Sequence, residues 1–194
     1  MRLLRAAKKS PARHSEDIVV FEVNGARFAV PAAAVDEIRN KESLAPFPGA
    51  SRAAKIRYTV LREDKARRGR IGKDPASVAK ASAQGQTYFV IDASAHFRMP
   101  ESHTSRVLLL RDCETALLVD GIDRMMQASS IVALPAAFEG EECSWYRGLC
   151  LVNGIVIPLV NPDSFLSKAE AVRLHADLKT RAVMAAKAKG AASA

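Results

Sequence analysis

The sequence predicts an all-β fold, two small barrels or a sandwich, and three observations lead there. Two segments, "IVVFEVNGARFAVP" and "RGLCLVNGIVIPLV", place apolar runs on both sides of an Asn-Gly pair. A third, "RVLLLRDCETALLVDGI", does the same around Asp112-Cys113-Glu114. Strand-like segments number roughly ten along the chain, and sustained helical periodicity is confined to its end.

Taken in order, residues 1–17 are basic, polar and interrupted by Pro11, the composition of a disordered arm. From Ile18 the pattern changes: Val19, Phe21 and Val23 alternate against Val20, Glu22 and Asn24, the period of a strand. Asn24-Gly25 then suits a two-residue hairpin turn, because Gly has no Cβ and Asn tolerates positive φ. Pro31 fits the first position of a short helix over "PAAAVDEIRN". Pro46 and Pro48 impose an extended link before a strand at 56–62. Residues 63–86 are small, polar and basic, cannot form a packed face, and read as a mobile insertion.

Strand character returns with "TYFVID" at 87–92. The third hairpin pairs 106–111 with 115–120, and "SSIVALPAAFEG" is a partly extended connection to the last hairpin, which turns on Asn153-Gly154. Asn161 can cap a helix, Pro162 fits its first position, and Asp163 lies near the positive end of its dipole. Phe165, Leu166, Ala169, Val172 and Leu174 start a helical period that weakens into an Ala/Lys tail from about residue 185. A C-terminal helix over 168–194 should therefore dock on the β body and fray. In the first and last hairpins "VNG" is followed within a few residues by Pro, the look of two related units packed together.

Charge and cysteine content narrow the function. The net charge is +8. Residues 1–17 hold five basic and two acidic groups, 62–86 seven and three, and 168–194 six and two, so the remainder carries −3. The positive charge lies in the tails and the insertion, away from the folded core. Nucleic acid is disfavoured as a partner, because no aromatics interleave with the basic runs to stack bases. A β protein that binds nucleic acid through arm, insertion and tail is the alternative reading. Cys113, Cys143 and Cys150 are odd in number and lack C-x-x-C spacing, which fits reduced thiols and neither a disulfide framework nor a zinc site. No apolar run approaches the 18 or so residues a membrane span needs, and "MRLLRAAKKS" lacks a secretory core, so the expected location is cytoplasmic, with no direct membrane contact.

No constellation for catalysis emerges, and neither a metal nor another cofactor nor a small-molecule substrate is expected. His14, His96, His103 and His175 have no second ligand at i+3 or i+4 and read as solvated or incidental. "GRIGKD" lacks the four-residue gap of a phosphate loop and has Asp74 in place of Ser or Thr. Cys143 and Cys150 flank strand-like segments and read as small apolar packing. Trp145, Tyr146 and Arg147 are the residue types of interface anchors, with core and edge packing as the equal alternative.

The ordered motifs "VVFEVNGARFAVPAAAVDEIRN", "VLLLRDCETALLVDGIDRMMQ" and "YRGLCLVNGIVIPLVNPDSFL" together resemble the CheW-like domain of bacterial chemotaxis adaptors. The family's V-x-E-I segment falls on Val35 to Ile38, its V-D-x-V on Val119 to Ile122, and its terminal hairpin on Gly148 to Leu166. The resemblance spans 18–62 and 87–167, and makes 18–167 one CheW-like domain. It implies two intertwined five-stranded SH3-like barrels, no catalysis, and a scaffold between the cytoplasmic tip of a chemoreceptor and the regulatory domain of a CheA-type histidine kinase. Carried over by position, Val35, Glu37, Ile38, Arg39 and Arg62 would bind partners. On the residues alone, Ile38 reads as core, and Glu37 with Arg39 as a solvated pair worth under about 1 kcal/mol. Where the family has G-V-x-N-L-R-G this chain has "RYTVLRE", with the basic insertion directly after. That departure leaves open which partner is engaged there. Docking by exposed strands would bury on the order of 1,200–2,000 Å².

Overall fold

The computed structural model describes residues 15–47, 55–62, 86–135 and 138–191. Most of the basic arm (1–14) and nearly all of the expected insertion (63–85) lie outside the described residues. The Asn-Gly turns organise the first sheet. Asn24 and Gly25 take φ of +48° and +77° between β1 (Glu16–Val23) and β2 (Ala26–Pro31). Asn153 and Gly154, at +50° and +81°, do the same between β11 (Tyr146–Val152) and β12 (Ile155–Val160). Positive φ at both centres matches the right-handed twist of the flanking strands. β12 lies beside β2 in parallel, Leu159 opposite Ala29, so the two turns share one end of the sheet.

This first sheet is completed by β9 (Gly121–Ala128) and β10 (Ser130–Val132), in the order β10-β11-β12-β2-β1-β9. The second is built from β3 (Val35–Asn40), β4 (Ala45–Pro46), β5 (Ile56–Arg62), β6 (Gln86–Asp92), β7 (Arg106–Leu110) and β8 (Thr115–Val119), in the order β3-β7-β8-β6-β5-β4. The chain thus starts in one sheet, builds the other, and returns. Both sheets curl in the manner of SH3-like barrels, and a C-terminal helix comes after them. Each has six strands, the short β4 and β10 adding to the longer ones.

Three apolar cores result from this layout. One lies inside the first barrel and contains Ile18, Val20, Ala29, Cys150, Val152, Ile157 and Leu159. A second, inside the other barrel, contains Val60, Tyr88, Val90, Val107, Leu109, Ala116 and Leu118. The largest gathers residues of both sheets, among them Phe21, Val23, Phe28, Phe89, Ile91, Leu108, Leu110, Leu117, Val119 and Phe165. Successive strand residues point to opposite faces, so β1, β7 and β8 feed one barrel with one set and the shared core with the other. That is why residues 107–110 and 116–119 are continuously apolar: a strand covered on both faces has no solvent side. Val20 is accordingly buried, although the hairpin pattern set it opposite Val19.

Several local expectations need correction. The helix expected over "PAAAVDEIRN" is a single 3-10 turn, Ala32–Ala34, and Val35–Asn40 is a strand paired with β7. Pro31 ends β2 and precedes the turn. Ala32–Ala34 has the local propensity for a turn of helix, but pairing from Glu37 opposite Leu109 to Asn40 opposite Arg106 holds the next six residues extended. Strand β9 and helix α1 (Ala93–His96) had no sequence prediction. Asp92 caps α1 by accepting from the Ser94 and Ala95 N–H groups, at 3.0 and 3.4 Å.

At the other end, Asn161 Oδ1 accepts from the Asp163 N–H at 3.3 Å, as a cap should, but starts only a 3-10 turn, Pro162–Ser164. Helix α2 (Lys168–Ala191) has its own start at Ser167, whose hydroxyl accepts from the Glu170 N–H at 3.2 Å while Glu170 returns a carboxylate to the Ser167 N–H at 2.8 Å. The reciprocal pair is a capping box. Among the described residues no helix is long and apolar enough to cross a membrane.

Candidate functional site

β3 is one edge of its sheet, so its outer side is open to contacts other than backbone pairing. The sheet curls until β3 faces the end of β5, and side chains rather than a hydrogen-bond ladder join the two. Arg39 is the main clasp: its Nη1 donates to the Leu61 carbonyl at 3.1 Å and its Nη2 to Glu37 Oε2 at 2.8 Å. Further along the seam, Arg62 pairs with Asp36 and reaches the Tyr88 hydroxyl at 3.4 Å, which in turn donates to Gln86 Oε1 at 3.3 Å. The Tyr88 hydrogen bond, opposed by partial desolvation and aided by Asp36, holds the Arg62 guanidinium above its ordinary range. The seam therefore presents fixed charges. Glu37 and Arg39 are half-buried, so their pair is held more firmly than a solvated one.

The same two strands expose two apolar side chains. Ile38 is 46% exposed and Leu61 47%. The expectation that Ile38 belongs to the core rests on placing it after a helix; on a strand it points away from the barrel interior. Val35, by contrast, is half-buried against the shared core. The structure thus brings Glu37, Ile38, Arg39 and Arg62 together at one seam and leaves Val35 as its buried footing. Sequence reading missed Asp36, Leu61 and Tyr88, which complete it. A strand over 56–62 puts Leu61 next to Arg62 in the chain, but no pattern in the sequence joins Asp36 or Tyr88 to them.

Trp145, Tyr146 and Arg147 are elsewhere, at the start of β11. Trp145 lies 4.6 Å from the His96 ring and 6.2 Å from Phe97 (centroid to centroid), with the Arg98 guanidinium 5.6 Å above its face. Tyr146 stacks on Phe97 at 6.0 Å. Both rings are half-buried against the shared core, whereas Arg147 is exposed and pairs with Glu16 at 3.1 Å. His96 is not solvated: it is 7% exposed, packs on Phe97, Trp145 and Phe165, and its Nε2 is buried without a hydrogen bond. Desolvation, with Lys55 adding and Glu170 opposing, pushes its pKa down to about 4. His175 also has a structural role, its Nε2 lying 2.7 Å from Glu114 Oε2 and its ring 5.0 Å from that of Phe89.

A second exposed surface lies on the outside of the first barrel. Val132 opposes Leu149, Leu149 opposes Pro158, and Leu151 opposes Val156. Their neighbours Cys150, Val152 and Ile157 face the barrel interior. Of this outer row Val132, Leu151 and Val156 are exposed.

Asp120 has a structural role. Asp120 accepts from the Asn24 N–H at 2.6 Å and from the Ser102 hydroxyl, tying the first Asn-Gly turn to the loop before β7. All three cysteines are free thiols; burial raises the pKa of Cys113 and Cys150, and Cys150 Sγ contacts the Ile157 carbonyl at 3.2 Å. Among the described residues no group of three or more His, Cys, Asp or Glu could hold a metal ion.

Two curled sheets with interleaved strands, a shared core and a docked C-terminal helix define a CheW-like fold. No protein-family model and no curated protein matches the chain. Among solved structures it is similar to the scaffolding protein TtCheW from Thermoanaerobacter tengcongensis, with a TM-score of 0.56 and 14% sequence identity over 80% of this chain and 95% of that one. At that identity the likeness is one of fold.

Proposed function

We propose that the protein is a noncatalytic adaptor whose outer surface docks onto other proteins, coupling the cytoplasmic tip of a chemoreceptor to the regulatory domain of a CheA-type histidine kinase in a chemotaxis-like pathway of the cytoplasm. The observation that carries this reading is the β3/β5 seam. It combines an open sheet edge, two exposed aliphatic side chains and charges already fixed in position. Pre-fixed polar groups next to exposed aliphatic residues lose little freedom on binding, the condition for a specific protein interface. The likeness in fold to a scaffolding protein supports the same reading. The apolar row Val132, Leu149, Leu151, Val156 and Pro158 supplies a second docking face on the other barrel, which an adaptor between two partners needs. In this reading residues 18–167 form the adaptor unit, with the arm and the C-terminal helix as its flanks.

The test is a pull-down of the kinase regulatory domain and of the receptor tip at moderate salt. Charge reversals Glu37→Arg and Arg62→Glu should each weaken capture of at least one partner several-fold, with thermal melts showing that the variants remain folded. Equal capture by wild type and both variants would remove the seam from the interface.

A further inference from the structure

Strand β3 carries an acid and a base at equal distances from one aliphatic residue, in the order Glu37, Ile38, Arg39. It pairs with β7 alone and has no strand on its other side. In an antiparallel ladder successive residues alternate between facing the partner strand and facing away from it. The Lys41 N–H donates to the Ser105 carbonyl at 3.1 Å, in step with Arg39 opposite Val107, so Lys41, Arg39 and Glu37 direct their backbone groups to β7. Ile38 and Asn40 therefore direct theirs outward, and both residues are exposed. Outward N–H and C=O groups on an edge recognise one kind of ligand, an extended backbone.

Open edges are commonly guarded by charge. On β3 the charges are placed to attract a copy of the same strand. With a second β3 running antiparallel and Ile38 opposite Ile38, the outward N–H and C=O groups of the two isoleucines form a reciprocal hydrogen-bonded pair. Glu37 of each copy then stands opposite Arg39 of the other, and opposite charges directly across a strand pair attract. Centring the pair on Glu37 or on Arg39 instead sets like charges face to face, and turns backbone groups already directed at β7 toward the copy. Asp36 falls opposite Asn40, and Ile38, 46% exposed, covers its counterpart. Arg39 uses two of its N–H groups on Leu61 and Glu37; a guanidinium has five, so donors are left for a second carboxylate.

We propose that β3 is a self-association edge, at which two copies of this chain join antiparallel about Ile38 into one continuous sheet. The strand has only six residues, so the contact falls below the roughly 1,200 Å² of a standard interface and the dimer is weak and reversible, with a Kd of roughly tens to hundreds of micromolar. Pairing covers Ile38, so a dimer withholds the β3/β5 seam from other partners. That consequence rests on the adaptor reading; the pairing itself does not.

Sedimentation equilibrium of the full chain at roughly 10–500 µM, with no other protein present, tests the proposal. Wild type should show a concentration-dependent equilibrium between monomer and dimer. Glu37→Arg and Arg39→Glu each set like charges across the pair, and each variant alone should dimerise at least about tenfold more weakly, with cooperative thermal melts showing that it is folded. An equimolar mixture of the two should recover heterodimer to within about threefold of wild type, because each supplies the charge the other lacks. The double variant Glu37→Arg/Arg39→Glu should self-associate as wild type does. Wild type that stays monomeric throughout, single variants that dimerise like wild type, or a mixture and a double variant that fail to recover would each overturn the proposal. Failure of the seam to bind a kinase domain or a receptor tip leaves these readouts unchanged, so the two readings fail separately.

Discussion

The buried imidazole of His96 gives the sharpest prediction about the folded body. In the folded chain its pKa is about 4, against 6.5 for an unperturbed histidine. The neutral ring is the form the aromatic cluster accepts. Above pH 6.5 the ring is neutral in both folded and unfolded chains and costs nothing. As pH falls from 6.5 to about 4 the unfolded chain binds a proton that the folded chain refuses, and stability drops by about 1.4 kcal/mol per pH unit. The loss reaches about 2 kcal/mol at pH 5 and about 3 kcal/mol at pH 4, and then levels off. Carboxylates titrate in the same range, so the comparison must be with a variant. His96→Phe keeps a ring among Phe97, Trp145 and Phe165 and gives up no hydrogen bond at Nε2. Urea unfolding of wild type and variant at pH 7 and pH 5 should show wild type losing about 2 kcal/mol more than His96→Phe over that interval. A difference between the two proteins that is the same at both pH values would mean that His96 is solvated or partnered, and would rule out a neutral ring held in the cluster.

Turn and packing geometry set three further outcomes. A Cβ at Gly148 would lie 2.4 Å from the Val132 carbonyl oxygen, a backbone atom; Gly148→Ala should cost roughly 2 kcal/mol or more in thermal or urea unfolding, because β10 must move. Gly154→Ala meets nothing within 4 Å and carries only the strain of φ +81°, so its cost should be smaller, about 1 kcal/mol. Asp120→Ala leaves the Asn24 N–H and the Ser102 hydroxyl without their acceptor and should lower stability by about 1–2 kcal/mol, read by calorimetry.

Local chemistry made the hairpins legible and nonlocal pairing hid the rest. Asn24-Gly25 and Asn153-Gly154 announce turns because few other pairs accept positive φ at both positions, and both turns are present. The same logic found the Asn161 cap. β9 escaped because Asp123, Arg124 and Gln127 give it a polar reading; its pairing with β1, a strand a hundred residues earlier, is what makes it a strand. Residues 35–40 were misread for a related reason: three alanines advertise helix locally, and only β7 reveals the strand. The seam of Arg39, Leu61, Arg62 and Asp36 depends on two strands meeting across a curled sheet, which no spacing in the sequence encodes. The likeness to a known family pointed to four residues at the seam, Glu37, Ile38, Arg39 and Arg62; Asp36, Leu61 and Tyr88 emerge only from the structure.

Docking through the β3/β5 seam is open to a direct measurement: isothermal titration of a CheA-type kinase regulatory domain, and separately of a receptor tip, into wild type and into Ile38→Glu and Leu61→Glu. Both residues are about half exposed, so these changes leave the cores intact. Wild type should show saturable micromolar or tighter binding of at least one partner. Both variants should bind it at least about tenfold more weakly, since burying an unpaired carboxylate at an interface costs more than about 1.4 kcal/mol. Absence of binding by wild type to either partner, or affinities unchanged in both variants, would show that the seam is not where this fold meets its partners.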